Sequence, residues 1–176
     1  MKDIIIEPMR VSDLDEVLEI EQYSFPTPWS RDIYRYDLER NPRARFYCAK
    51  SIASGRVLGY IGSWFVEDEC HVGTIAVARE HRSKGIAKLL LEHTAAVALS
   101  EGITYIILEV RINNIPAINV YKSLGFSQVG VRKRYYSDTG EDALIFVHRD
   151  LEALARAIQV GQDCVGGGGL QAKTVT

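Results

Sequence analysis

Ile75-Ala76-Val77-Ala78-Arg79-Glu80-His81-Arg82-Ser83-Lys84-Gly85-Ile86-Ala87-Lys88-Leu89-Leu90-Leu91 carries the chain from a strand, through a basic turn, into a helix. The first three residues are apolar, as at the end of a strand, and Ile86, Leu89, Leu90 and Val97 fall near one helical face. Between them, Arg82-x-x-Gly85-x-Ala87 puts small residues where the helix begins. A helix N-terminus has four backbone N–H groups without intrahelical partners, and its dipole favours negative charge. Gly85 and Ala87 leave those groups sterically open, and Arg82, Lys84 and Lys88 add positive charge. Such a turn suits a pyrophosphate; a helix opened by a flexible, solvated turn would read the same way. It is neither a Walker A loop nor a dinucleotide Gly-x-Gly-x-x-Gly.

Working outward, Glu69 to Val77 reads as the strand that enters the turn, preceded by a hairpin of Arg45 to Ser51 and Val57 to Val66. Ile4 to Glu7 is a first strand. Ser12 is placed to cap a helix ending near Glu21, and Ser30 a second helix that Asn41-Pro42 stops. The segment Tyr23-Ser24-Phe25-Pro26-Thr27-Pro28-Trp29-Ser30 has two prolines and three aromatics, so it forms an irregular loop. Those aromatics either wall a binding site or plug the edge of the core. After the long helix, Gly102 gives a stop, Thr104 to Val110 a buried strand, and Asn113 or Asn114 the cap of a helix ending at Leu124-Gly125. Phe126 to Lys133 and Ala143 to His148 form a last antiparallel pair joined by Tyr135 to Asp142. A short helix over Leu151 to Val160 and a glycine-rich tail follow a domain expected to occupy residues 1–150. The order of strands and helices specifies an α/β domain with a mixed sheet.

With 176 residues, 47% hydrophobic and 25% charged, the chain suits one soluble domain. A net charge of -2 gives no global basis for nucleic-acid binding, and no apolar run is long enough to span a membrane. The apolar segment near Met1 is too short for a signal peptide. Cys48, Cys70 and Cys164 are odd in number and far apart, fitting neither a disulfide framework nor a zinc site, so a cytoplasmic setting is expected.

Leu108-Glu109-Val110-Arg111-Ile112-Asn113-Asn114-Ile115-Pro116-Ala117-Ile118-Asn119-Val120-Tyr121-Lys122-Ser123-Leu124-Gly125-Phe126 holds the chemistry. Glu109 sits among apolar strand residues, where a carboxylate needs a reason. Desolvation would raise its pKa, which suits a general base; the alternative is an ion pair with Arg111 or another buried cation. Asn114, Ala117, Tyr121 and Gly125 share one helical stripe. Ala117 leaves room for a ligand beside Tyr121, unless Tyr121 is a core tyrosine bonded to backbone.

The Arg82–Ala87 turn resembles the acetyl-coenzyme-A loop, Arg/Gln-x-x-Gly-x-Gly/Ala, of the GNAT N-acetyltransferases. Leu108-Glu109-Val110-Arg111-x-x-Asn114-x-x-Ala117-x-x-x-Tyr121-x-x-x-Gly125-Phe126 resembles the RimI branch of that family, the protein N-terminal acetyltransferases. So do Phe25-Pro26-x-Pro28-Trp29-Ser30 and Arg132-Lys133-x-Tyr135-Tyr136 followed by Glu141-Asp142-Ala143. The similarity runs from about Ile4 to Asp150; Thr27 and the glycine-rich tail depart from the bacterial pattern. The resemblance implies a GNAT fold, with a mostly antiparallel mixed sheet flanked by helices and splayed central strands holding acetyl-CoA. It implies Glu109 as general base and Tyr121 as general acid, without a metal. Ile75, Ala76 and Val77 would pair with pantetheine, Ser83, Lys84, Gly85, Ile86, Ala87 and Lys88 with Arg82 would hold the pyrophosphate, and Asn114 would contact the coenzyme arm. Phe25, Pro28, Trp29, Tyr135 and Tyr136 would grip a protein or peptide N-terminus, such as that of a ribosomal protein, with the enzyme a monomer or weak dimer. Acetylation of lysine or a small amine, and a non-catalytic acyl-CoA-binding subunit, are the competing readings.

Overall fold

Strand residues Phe46 and Cys48 pack into one hydrophobic cluster, while their neighbours Tyr47 and Ala49 pack into another. This period-two alternation is what a strand buried on both faces requires. The computed structural model describes residues 3–156. In it a seven-stranded sheet lies between two helical layers. The strands are β1 (Ile4–Pro8), β2 (Ala44–Ser51), β3 (Val57–Val66), β4 (Glu69–Val77), β5 (Tyr105–Arg111), β6 (Ser127–Tyr136) and β7 (Glu141–His148), in the spatial order β1-β2-β3-β4-β5-β7-β6. Every neighbouring pair is antiparallel except β4 with β5.

Helices α1 (Leu14–Ser24) and α2 (Arg31–Arg40) cover one face through Leu14, Val17, Ile20 and Tyr34. Helices α3 (Ile86–Ser100) and α4 (Ile115–Ser123) cover the other through Leu90, Leu91, Ala95, Ile118 and Tyr121. Because β3 is buried from Val57 through Ser63, it reads as a near-continuous apolar run.

Ser30 caps α2 by accepting from the Ile33 N–H at 3.4 Å, and Asn114 caps α4 by accepting from the Ala117 N–H at 3.3 Å. The other expected cap fails. Ser12 lies inside a 3-10 turn, Val11–Asp13, and the Asp13 carboxylate instead accepts from the Arg10 N–H at 2.9 Å. Helix α1 also runs on past Glu21 to Ser24, since no proline intervenes before Pro26. The Tyr135–Asp142 connection is shorter than the sequence suggests. Arg134 takes a left-handed φ of 52° in a bulge and donates its N–H to Asp142 Oδ1 at 2.9 Å. The strand therefore resumes at Tyr136 opposite Glu141. Helix 151–156 seats Leu151 and Leu154 in the main core; the rest of the expected helix, the glycine-rich tail and Cys164 lie outside the described residues.

The central parallel pair positions the site. β4 and β5 are in register only from Glu69 opposite Tyr105 to Val72 opposite Leu108. Beyond that point β5 continues to Arg111 against β7, while β4 continues to Val77 against β3. The two strands splay, and Gly73 to Val77 keep one edge of backbone groups free of a strand partner.

Candidate active site

The splay opens a cleft of about 490 Å³. Its floor is β4 from Val72 to Ile75 and β5 from Leu108 to Arg111; one side is α4, through Asn114, Ala117 and Tyr121. The Phe25–Trp29 loop and the Tyr135–Asp138 end of the last hairpin form the two remaining walls. Of the expected site residues, Phe25, Pro28, Trp29, Ile75, Glu109, Asn114, Tyr121, Tyr135 and Tyr136 come together here. Ala76, Val77 and the Arg82–Lys88 turn do not line this cleft; they continue β4 away from it.

Glu109 is almost enclosed, its side chain only 6% exposed. Its Oε2 lies 2.7 Å from His71 Nε2. Arg132 Nη2 stands 3.2 Å from Oε1 as an ion pair, yet the geometry is not that of a hydrogen bond, and Oε1 has no hydrogen-bond partner among the described residues. The hydrogen bond from His71 holds the carboxyl below the usual range, with further help from the charges of His71 and Arg132, and these outweigh burial. This corrects the expectation of a raised pKa: desolvation is present but loses to the cationic neighbours. Nor is Arg111 the partner. Arg111 Nη2 donates to Asp138 Oδ2 at 2.6 Å, Nη1 pairs with Glu141 Oε2 at 3.3 Å, and the guanidinium sits 3.9 Å above the Tyr136 ring.

Tyr121 is buried, and burial pushes its hydroxyl pKa up, so it remains a proton donor at neutral pH. Among the described residues its hydroxyl has no backbone partner that would mark it as a core tyrosine only. Its ring packs on Phe126 and Phe146, with centroids 5.8 and 6.1 Å away. Tyr136 is likewise pushed up to about 12, by burial against the opposing pull of Arg111.

The Phe25–Trp29 loop is both wall and plug. Phe25 and Trp29 pack on the α1/α2 core cluster and also line the cleft. A buried carboxylate that sequence reasoning missed fixes the loop: Glu21 Oε1 accepts from the Trp29 N–H at 2.9 Å, and Oε2 accepts from the hydroxyls of Tyr34, at 2.9 Å, and Tyr60. Thr27 Oγ1 donates to Asp138 Oδ2 at 3.0 Å, the oxygen that Arg111 also holds, so the two walls are tied across the cleft. His71 was missed as well. Its side chain joins Glu109 only through the parallel register that sets His71 opposite Ile107, two residues before Glu109 and on the same face.

The basic turn has the form of an anion site. Ser83 and Gly85 have left-handed φ values of 59° and 79°, and no acidic residue lies in the first turn of α3. Successive N–H groups in such turns converge on one point. Arg82 is bound back by Nε to the Val77 carbonyl at 3.1 Å and by Nη2 to Ser24 Oγ at 3.3 Å, which fixes the turn to both β4 and α1.

Residues 14–126 match the Acetyltransferase (GNAT) family. A Bacillus subtilis (strain 168) protein with the provisional name [ribosomal protein bS18]-alanine N-acetyltransferase is 36% identical over 140 residues, 80% of this chain and 91% of that protein. The crystal structure of the ribosomal-protein-S18-alanine N-acetyltransferase from Escherichia coli superposes with a TM-score of 0.74 at 29% identity, covering 83% of this chain and 93% of that one. A chain of the NatC complex, crystallised with Gag peptide and CoA, superposes with a TM-score of 0.74 at 25% identity over 84% of this chain and 98% of its own. With a splayed sheet, a basic glycine turn at the head of α3 and this extent of similarity, the chain belongs to the GNAT family of acetyltransferases.

Proposed function

We propose that this protein transfers the acetyl group of acetyl-CoA to the α-amino group at a protein N-terminus. The observation that carries the reading is the meeting of Glu109, from β5, and Tyr121, from α4, in one cleft walled by aromatic residues, beside the free edge of β4.

That free edge and the α3 turn fit the coenzyme: Ile75, Ala76 and Val77 offer backbone groups to the pantetheine arm, and Ser83 to Lys88 with Arg82 offer N–H groups and positive charge to the pyrophosphate. Acetyl-CoA supplies an activated thioester. Asn114 spends its side-chain oxygen on the α4 cap, which fixes the helix beside the cleft. An α-amino group has a reference pKa of about 7.7–8.0, so much of it is protonated at neutral pH and cannot attack. Glu109, which lines the cleft, removes that proton, directly or through a water. Backbone N–H groups on the free stretch of β4 face the developing oxyanion. Tyr121 gives its proton to the departing sulfur. Phe25, Pro28 and Trp29 on one wall and Tyr135 and Tyr136 on the other hold the first residues of the peptide, that of a ribosomal protein being the leading candidate.

The tie between Thr27 and Asp138 favours a slender peptide end over a bulkier entry. Incubation with acetyl-CoA, a panel of N-terminal peptides, N-blocked lysine peptides and polyamines, read by mass spectrometry, tests the proposal. Acetylation of the peptide α-amino group is expected; turnover confined to lysine or polyamines would replace it with the competing reading.

A further inference from the structure

Arg111 ends β5, and its guanidinium is spent on the turn that joins β6 to β7. It sits 3.9 Å above the Tyr136 ring, at the end of β6. Nη2 donates to Asp138 Oδ2 at 2.6 Å, and Nη1 donates to Thr139 Oγ1 at 2.8 Å and to Glu141 Oε2 at 3.3 Å. The side chains of Arg111, Asp138 and Glu141 are only 19%, 20% and 15% exposed. Isolated surface ion pairs hold little, but a planar guanidinium that bonds several partners in fixed geometry is the exception. The turn needs such a hold: Ser137-Asp138-Thr139-Gly140 is small and polar and gives no side chain to either hydrophobic cluster. Asp138 Oδ2 also accepts from Thr27 Oγ1 at 3.0 Å, which belongs to the opposite loop. One carboxylate oxygen thus joins Arg111, on the cleft floor, to both walls.

We infer that Arg111 is a positioning residue for the peptide: it holds Tyr136 and Asp138 in place, and through Asp138 and Thr27 it fixes how far apart the two walls of the slot stand. The inference rests on the acetylation of a peptide N-terminus proposed above. Arg111 moves no proton in that reaction. Its N–H groups are engaged by the turn, so it acts on the peptide through Tyr136 and Asp138. The dependence has a direction. Arg111 anchors Asp138, and Thr27 reaches only the oxygen so anchored. Removing the Thr27 hydroxyl therefore unties one wall, whereas removing Arg111 releases the turn and unties both. Glu109 and Tyr121 are held by other contacts, on β5 and α4, so loss of Arg111 leaves the chemistry and the coenzyme site in place.

Three substitutions test this on a peptide that the unaltered protein acetylates. Arg111→Ala removes every contact, Arg111→Lys keeps the charge but not the planar fork, and Thr27→Val keeps the shape and removes the donor. A hydrogen bond to a charged group is worth roughly tenfold in an equilibrium constant. Arg111→Ala should raise the peptide KM by about tenfold, Arg111→Lys by nearly as much, and Thr27→Val by about 2–4-fold. The kcat at saturating peptide and the CoA affinity by calorimetry should stay near those of the parent. The effects should not multiply: Thr27→Val should add nothing in Arg111→Ala, where its acceptor is no longer fixed. Hydrogen exchange followed by mass spectrometry reads the same hold without turnover. The Gly140 N–H, which donates to the Tyr136 carbonyl at 2.7 Å, should exchange faster in Arg111→Ala and stay protected in Thr27→Val. A parent-like peptide KM in Arg111→Ala or Arg111→Lys, a loss of kcat or CoA affinity as large as the change in KM, multiplying effects of the two sites, or unchanged exchange in the turn overturns the inference. Absence of peptide acetylation by the unaltered protein would instead overturn the proposed function, with exchange still deciding whether Arg111 holds the turn.

Discussion

Gly73→Ala is the smallest change that tests how the cleft is built. Gly73 is the extra residue of a bulge: Gly62 pairs with Thr74 and Ser63 with Val72, leaving Gly73 without a partner on β3. A Cβ placed there would lie 2.2 Å from Trp64 Cζ3, 2.5 Å from Trp64 Cη2 and 3.2 Å from Trp29 Cη2. Carbon atoms in contact prefer about 3.5–4.0 Å, so the Trp64 ring would have to withdraw by roughly 1.5 Å. It is not free to do so. Its Nε1–H donates to the buried Asp37 Oδ1 at 3.1 Å, and it packs against Trp29 at 5.6 Å and Phe46 at 6.2 Å between centroids. Overpacking of this kind costs about 1–3 kcal/mol, and the hydrogen bond to Asp37 adds about 1 kcal/mol if it breaks. A total of about 2–4 kcal/mol corresponds to a fall in Tm of roughly 5–15 °C for a domain of this size. Trp29 also lines the cleft, so the peptide KM should rise more than CoA affinity falls. Thermal melts and steady-state kinetics on the same sample read both effects. A variant within about 0.5 kcal/mol of the parent, with an unchanged peptide KM, would mean that the bulge yields and the tryptophans do not shape the slot.

Glu109→Gln and Tyr121→Phe should each lower kcat by about 10²–10⁴-fold, and the Glu109→Gln defect should shrink as pH rises because more of the amine is already neutral. Gly85→Glu puts a side chain at a left-handed φ of 79° and a negative charge at the head of α3, so calorimetry should show a severe loss of CoA affinity; unchanged affinity in a folded variant would remove the anion site. The Glu109–His71 pair should also be visible in stability. Glu109 has a depressed folded pKa, so its contribution is present above the ordinary 4.5 and is lost as pH falls through the folded value. His71 has a raised one, so its contribution is present below the ordinary 6.5 and is lost as pH rises through the folded value. The gap in Tm between the parent and Glu109→Gln should thus be widest between those two ordinary values and narrower at alkaline pH, where Arg132 alone stays charged beside Glu109; a gap independent of pH would refute the His71–Glu109 ion pair.

Much of this was legible locally. Glu109 stood out because a carboxylate in an apolar strand is costly, and Asn114, Ala117 and Tyr121 because helical spacing puts them on one stripe; all four line the cleft. The α3 turn was legible because its glycine and its charges are contiguous in sequence. What could not be read is whatever depends on strand order. Arg111 is two residues from Glu109 and nominally on its face, so it looked like the natural partner. The real partners, His71 and Arg132, come from β4 and β6, and only the order β4-β5-β7-β6 brings them in. Arg111 lies at the end of β5, within reach of the turn holding Asp138 and of Glu141, and is drawn there. Glu21 was missed for a similar reason. At the polar end of an amphipathic helix it passes for a surface residue, and its donors come from the Trp29 backbone, α2 and β3. The pKa of Glu109 failed on the same ground: burial was legible, the compensating cations were not.

One residue joins the two halves of the machinery. Val72 is the last residue of β4 in register with β5, and Gly73, the next, is the bulge on the β3 side. A bulge increases local twist and bends the strand that carries it. Placed where the parallel pairing ends, it turns Thr74–Val77 with β3 and away from β5, which frees the backbone edge proposed to meet the coenzyme. The same residue, lacking a Cβ, admits the Trp64 ring, which supports Trp29 on the peptide wall. The proposed coenzyme edge and the proposed peptide wall are therefore set by a single irregularity. Glu109, proposed as the base, lies just beyond it on the strand that did not turn, and lines the same cleft as the first residues of the free stretch of β4.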